Sequence, residues 1–353
     1  MKITELELRR VRMELTEPYS IAYESVNHAD ILFLLLRTNT KEVGVGSAAP
    51  SFAVTGETID ALCEVLESRI KPLLEGRDPL RTAAVMAVVR KHLPGMPSAR
   101  AAVDMALYDL LAKAAGMPLY RLLGAYRTRI RTSITIGIHS VAETMNRAHL
   151  RVDEGFDCIK LKGGISVETD IARVRAVRAA FGPKLRLRFD ANQGYTVEEA
   201  RHFLYELRNE GLELLEQPTR KDKPEELEHV SRDTAIPIMA DESVLGLKDA
   251  FYVARNDLVD MINIKLMKTG GIMAALDINA VARSAGYPCM IGCMDESAVG
   301  VSAGLHFALS RPNIRYADLD GHLDLIGDPS SSALRVRGGF VYPSDSPGLG
   351  WTP

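Results

Sequence analysis

From about Ala125 onward the chain alternates short apolar runs with amphipathic stretches of helical period, and this alternation limits the fold more than any other feature. The runs are RTSITIG, CIKLKG, LRLRFDA, LELLEQP, IPIMADE, VDMINIKL, PCMIGCM and IRYADLD. Strands separated by helices form parallel sheets, and eight such units are enough to close a barrel. The connection after the seventh run, AVGVSAGLHFAL, has room for one helix. Upstream the rhythm differs. ITELELRRVRM and ILFLLLRT alternate as antiparallel strands, and EPYSIAYESVNHAD between them is too irregular for either element. Helical periodicity follows through ETIDALCEVLESRI and ARAAVDMALYDLLAKAAG, giving an α+β unit. The expected division is an α+β unit over 1–125, a barrel over 126–326, and a Gly-, Pro- and Ser-rich tail, 327–353, that returns to cover the first unit.

The charges on the strands carry the chemistry. Lys160 and Lys162 lie in CIKLKG, Asp190 ends LRLRFD, Glu216 ends LELLE and Asp241 follows IPIMA. Lys265 ends INIK, Glu296 follows GCMD, and Asp318 and Asp320 end YADLD. All fall at C-terminal strand ends, which form the active-site face of a (β/α)₈ barrel. A single Asp or Glu at a strand end is ordinarily a helix cap or turn residue. Three successive strands ending in carboxylates are different, because converging negative charges in a cleft are costly without a cation. Hard oxygen donors in this number suit Mg²⁺. The lysines have two readings. They are structural partners of the carboxylates, or amines whose pKa a nearby cation lowers until they can take a proton. Lys160 and Lys162 share one strand face, with Leu161 on the other. Lys162 in the second strand and Lys265 in the sixth would approach the barrel centre from opposite sides, an arrangement that inverts a stereocentre.

Composition excludes other classes. With a net charge of −3 the chain has no basic footprint for nucleic acid. Four scattered cysteines without C-x-x-C spacing fit neither a disulfide framework nor a zinc site. No run approaches the roughly 20 apolar residues of a membrane span, and the first residues lack an apolar signal core. A soluble, cytoplasmic protein is expected.

Taken together, KLK at Lys160–Lys162, FDAN at Asp190, EQP at Glu216, ADES at Asp241 and NIKLMKTGG at Lys265 resemble the enolase superfamily, in its muconate-lactonising subgroup. The likeness extends along the chain through ARAAVDMALYDLLAKAAG and GMPLYRLLG. It implies a modified (β/α)₇β TIM-type barrel under an α+β capping domain completed by the tail. It further implies one Mg²⁺ on Asp190, Glu216 and Asp241, an acid/base pair in Lys162 and Lys265, and positive charge from Lys160 beside an enediolate. Lys268 does not fit the motif position and reads as a helix or loop residue. YADLDG is similar to the D-x-D element of the dipeptide epimerases, where Asp318 and Asp320 would receive a substrate α-ammonium. GCMDES is similar to that subgroup's seventh-strand element, with Glu296 orienting the site and Ser297 near the substrate carboxylate. Met294, Asp295 and Thr135 join the substrate-binding candidates.

The expected reaction is therefore epimerisation at the α-carbon of a dipeptide's C-terminal residue. The alternatives are o-succinylbenzoate synthase, N-acylamino acid racemase and, more remotely, a non-catalytic binding barrel. In this superfamily the capping loops set substrate choice, here about residues 18–30 and 48–57. The first holds no Lys or Arg, which argues against Ala-Glu. Ile21, Tyr23, Phe52 and Val54 suggest an apolar pocket, whereas Asp295 and Glu24 leave a cationic side chain open. His139 and His322 read as structural. Relatives often form symmetric oligomers, and a homo-oligomer is open here.

Overall fold

The computed structural model describes residues 1–20, 25–232 and 234–353. Three antiparallel strands open the chain: β1 (Ile3–Ser20), β2 (Ser25–Thr38) and β3 (Val43–Ala48), in that order across the sheet. The stretch EPYSIAYESVNHAD is more regular than its sequence suggests. On either side of residues 21–24, its ends extend β1 and β2, so Tyr19 pairs with Val26 beyond a register shift that starts at Glu14. Within that shift the Thr16 N–H donates to Asp324 O at 2.8 Å and Leu15 bridges to Leu325. Backbone groups that leave the hairpin ladder thus find partners on the barrel.

The helix Pro97–Ala114 packs over β3 and is buried along most of its length. Gly44 and Gly46 permit the approach: a Cβ at Gly46 would stand 1.8 Å from Ala102 O, and one at Gly44 2.5 Å from Ala106 O. Gly46→Ala is expected to destabilise the fold by about 2 kcal/mol or more, because a packed core yields little to added volume. Urea denaturation measures this as a lower midpoint at constant slope.

A two-residue strand, β4 (Ile130–Arg131), precedes eight parallel strands. They are β5 (Ile134–Ile136), β6 (Cys158–Lys162), β7 (Arg186–Asp190), β8 (Leu212–Glu216), β9 (Ile238–Ala240), β10 (Met261–Lys265), β11 (Cys289–Gly292) and β12 (Ile314–Asp318). Each pairs with its neighbours in sequence, as expected, and the sheet is nearly closed. Across the seam between β5 and β12, Ser133 N–H reaches Ala317 O at 3.1 Å and Leu319 N–H reaches Thr132 Oγ1 at 2.8 Å.

Side-chain alternation then sorts the strands. Ile159, Leu161, Leu187, Phe189, Leu215, Ile262, Ile264 and Ile291 belong to the large buried cluster shared with the helices. Leu214, Met239, Met261 and Met290 form a separate buried cluster, with Tyr316 against it. Two residues further along four of these strands stand Glu216, Asp241, Asn263 and Asp318. One face of the barrel wall therefore runs from apolar to charged toward the C-terminal ends.

The tail contributes β13 (Leu334–Arg337) and β14 (Phe340–Pro343), antiparallel to each other, with β14 also pairing to β4. Beyond them Leu349 N–H donates to Asp109 Oδ1 at 2.8 Å, and Trp351 packs on Phe33 at 5.4 Å between ring centroids. The same Asp109 carboxylate accepts from Val45 N–H at 2.9 Å and meets Lys113 at 2.6 Å. No helix among the described residues is long and apolar enough to cross a membrane. All four cysteines are free.

Candidate active site

The charged ends of the strands meet beneath the first sheet, in a cavity of about 340 Å³. Its floor holds Lys160, Lys162 and Lys265, and its walls include Thr135, Asn192, Glu242, Met294, Asp295, Asp318 and Asp320. Residues from β1, β2 and the short helix Phe52–Thr55 cover it.

Lys160 is 1% exposed, and its ammonium contacts carboxylates from three strands: Glu216 at 2.7 Å, Asp318 at 2.8 Å and Asp190 at 3.1 Å. Lys162 meets Asp190 at 2.8 Å. Lys265 meets Asp241 at 2.9 Å from the other side. β6 and β10 are separated by three strands in an eight-stranded barrel, so Lys162 and Lys265 stand on opposing walls. Burial alone would lower the Lys160 and Lys265 ammonium groups, but the carboxylates outweigh it and hold both well above the ordinary lysine value. That direction is opposite to the lowering expected from a neighbouring cation, and it follows from the acidic company each ammonium keeps.

The carboxylates respond to the same balance. Burial, then Asp190 and Asp241, pushes Glu216 up to about 7. For Asp241 burial is outweighed by Lys265 and Lys268, which hold it far below the usual range. Asp190 is also held low against burial, chiefly by Lys162 and Lys160. As placed, no three acidic, His or Cys side chains among the described residues close around one point at ligating distance. The lysine ammonium groups lie between the carboxylates instead. The donor set nevertheless fits a hard divalent ion: Asp190, Glu216 and Asp241 are fully buried, offer only oxygen, and already demand positive charge. Among the described residues, the partner of Glu216 Oε2 is the Lys160 ammonium at 2.7 Å and that of Asp241 Oδ2 is the Lys265 ammonium at 2.9 Å.

Several neighbours fix these carboxylates, and sequence reading passed over them. Asn263 Nδ2 donates to Glu216 Oε1 at 2.7 Å. Gln217 Oε1 accepts from the Asp241 and Ser243 N–H groups at 2.9 and 3.1 Å. Asn192, at φ +44°, donates its N–H to Asp190 Oδ1 at 2.9 Å. Glu242 is buried beside Asn192, with Oε2 unpaired. Lys268 does lie on a short helix, Leu266–Thr269, but it is no bystander. Its buried ammonium touches Asp241 Oδ1 at 2.5 Å and donates to the carbonyls of Asp241 and Asn263. Lys268→Met is expected to cost about 2 kcal/mol of stability, since it leaves buried Asp241 with one ammonium in place of two and removes a donor from two carbonyls. Thermal denaturation would register the loss.

Asp318 and Asp320 come together on the β5 side of the cavity. Asp318 Oδ1 accepts from Ser133 Oγ at 2.7 Å, and Asp320 Oδ2 accepts from the Thr135 N–H at 2.6 Å. Lys160 and Ser133 outweigh burial to hold Asp318 down at about 2. Burial and the charge of Asp318 push Asp320 up to about 7.

The seventh-strand element divides. Met294 and Asp295 line the cavity, whereas Glu296 and Ser297 do not. Glu296 turns back to accept the Met294 N–H at 2.9 Å, and burial pushes it up to about 7. Ser297 caps the helix Ala298–Ser310 and bonds Ser47 Oγ at 2.7 Å, tying barrel to first sheet. Glu296 thus holds the backbone of cavity-lining Met294, and Ser297 works as a helix cap and interface contact. Phe52, 76% exposed, and Val54, half-buried, both line the cavity from the covering helix. Ile21, Tyr23 and Glu24 fall outside the described residues. His139 lines the cavity mouth, and His322 lies elsewhere.

Comparison with known proteins follows this geometry. Residues 3–124 match the model for the mandelate racemase/muconate lactonizing enzyme N-terminal domain, and residues 143–353 match that for the enolase C-terminal domain-like family. The chain is 40% identical to an L-Lys-D/L-Arg epimerase of Desulforapulum autotrophicum, covering 99% of both chains. It is 38% identical to an L-Ala-D/L-Glu epimerase of Bacillus subtilis, covering 99% of this chain and 96% of that one. A solved dipeptide epimerase of Enterococcus faecalis, complexed with Mg and L-Leu-L-Tyr, superposes with a TM-score of 0.96 at 37% identity, covering 99% of each chain. With opposed lysines over a buried carboxylate trio, under a cap matched along its length, the chain belongs to the dipeptide epimerase family of the enolase superfamily.

Proposed function

We infer that this protein epimerises a dipeptide at the α-carbon of its C-terminal residue, in a Mg²⁺-dependent reaction. The observation that carries this reading is the pair Lys162 and Lys265 on opposing walls of one cavity. Asp190, Glu216 and Asp241 would hold the ion. When bound, it supplies positive charge for the substrate carboxylate and for the enediolate charge that develops when the α-proton leaves. One lysine removes the α-proton from its face, and the other returns a proton from the opposite face. Lys160 adds fixed positive charge beside them. Asp318 and Asp320 receive the α-ammonium, and a dicarboxylate substrate such as succinylbenzoate would be repelled there. Structures of relatives complexed with Mg and dipeptides support this reading. Chiral analysis of an L,L-dipeptide incubated with Mg²⁺ tests it. Growth of the L,D diastereomer is expected, and a library yielding none would refute the reading.

The Asp320 carboxylate must be ionised to accept an ammonium. Because burial and Asp318 push it up to about 7, kcat/KM is expected to decline below about pH 7. Asp320→Asn should cost about 10²-fold in kcat/KM and remove that acidic limb from the pH profile.

The proposed working division is a cap over 1–125, a barrel over 126–326 and a tail over 327–353, supported by Trp351 on Phe33 and Leu349 on Asp109. Free cysteines support a reducing compartment, which we propose is the cytoplasm.

A further inference from the structure

The charged groups around the cavity mouth are nearly all committed to one another. Arg147 is held by Glu17 and, at 2.8 Å, by Glu143. Arg151 is held by Glu154 at 3.0 Å and Asp324 at 3.5 Å. Asp30 is taken by Arg12 at 2.9 Å. An acidic substrate side chain reaching this mouth would find both arginines already neutralised by two carboxylates each.

Asp295 differs from these mouth carboxylates; Glu242 also lines the cavity without a described cationic partner, but it stands beside Asn192 next to the metal-ligand candidate Asp241. Asp295 lines the cavity and, among the described residues, accepts one hydrogen bond, from Tyr19 Oη at 2.8 Å. No described cationic side chain pairs with it. Lys162 and Lys265 act on it only as more distant charges, and burial raises its pKa. A carboxylate so enclosed is costly to ionise with a neutral phenol as its main partner, and a cation beside it would remove that cost. Its location identifies which part of the substrate it serves. Gly321, next to Asp320, donates its N–H to Cys293 Sγ at 3.3 Å, and a Cβ on it would stand 2.1 Å from Met294 O, so the segment that carries Asp295 adjoins the end of the cavity where Asp318 and Asp320 stand.

Given the dipeptide reading above, on which this assignment rests, we propose that the N-terminal residue of the preferred substrate carries a cationic side chain. Asp295 receives its ammonium or guanidinium, and Tyr19 orients the carboxylate. The α-ammonium and the side-chain cation then occupy two separate acidic subsites, Asp318–Asp320 and Asp295. Relatives of similar identity are named for cationic, acidic and hydrophobic dipeptides, so membership in the family leaves this choice open.

The test uses the Mg²⁺-loaded enzyme and dipeptides that differ only at the N-terminal residue: Lys, Arg, Leu or Glu. The second residue is held constant at whichever gives the fastest α-proton exchange. Lys and Arg should exceed Leu in kcat/KM by about tenfold or more, and Glu should be poorest. Asp295→Asn should bring the Lys-to-Leu ratio close to one, whereas Asp295→Glu should keep a preference for Lys. A wild-type enzyme favouring Leu or Glu, or an Asp295→Asn variant with an unaltered ratio, would overturn the assignment while leaving epimerisation intact. Exchange with no dipeptide at all would instead overturn the functional reading itself. The wild-type series decides the matter even where a variant fails to fold.

Discussion

Lys265→Ala is expected to lower epimerisation by about 10³-fold or more, and Lys162→Ala by a similar factor. General acid–base groups in direct contact with the reacting carbon contribute about 10²–10⁴-fold each, and inversion needs both in every turnover. The two variants should nevertheless differ in a way that a merely structural lysine would not produce. With one lysine gone, the other still removes the proton on its own side and exchanges it with solvent. Lys162→Ala should therefore retain deuterium exchange into one diastereomer, and Lys265→Ala into the other, while neither forms the inverted product. Proton NMR of the L,L- and L,D-dipeptides in D₂O reads both outcomes. Near-normal turnover in either variant would remove the two-base mechanism.

Chelation is expected to have an effect as large. Asp190, Glu216 and Asp241 are fully buried, and Glu216 is already pushed up to about 7 by burial and its acidic neighbours. EDTA treatment followed by dialysis should abolish measurable turnover, and added Mg²⁺ should restore it. Losing a charge that stabilises a developing enediolate is worth several kcal/mol, and each 1.4 kcal/mol is about tenfold in rate. Mg²⁺ should also raise Tm, by an amount that grows with the logarithm of its concentration over Kd, because the folded chain assembles the site and the unfolded chain does not. Full activity after exhaustive chelation would contradict the metal assignment.

The barrel was legible because its strands are short, apolar and bounded by turn residues, and because polar residues cluster at one end of them. The same alternation that placed Asp190, Glu216 and Asp241 would also have found Asn263, a polar residue two positions before Lys265 in an otherwise apolar strand. Lys268 was harder to find. It lies one helical turn beyond β10, where strand periodicity no longer says which way a side chain points. Asn192 and Glu242 follow metal-ligand candidates in turns, and only the fold brings them together. Glu296 and Ser297 lie beside the cavity rather than in its lining: Glu296 accepts the N–H of cavity-lining Met294, and Ser297 caps the following helix. The polar stretch from Glu17 to Asp30 hid its strand character because it lacks a regular apolar alternation, although Tyr19 pairs with Val26 and Asp30 with Arg12 across the β1–β2 hairpin.

The most direct measurement is α-proton exchange in D₂O with the wild-type, Mg²⁺-loaded protein and a library of L,L-dipeptides. Deuterium should enter only at the α-carbon of the C-terminal residue, accompanied by growth of the L,D diastereomer toward equilibrium. A library in which no dipeptide gains α-deuterium would contradict the assignment of Lys162 and Lys265 as opposed acid and base.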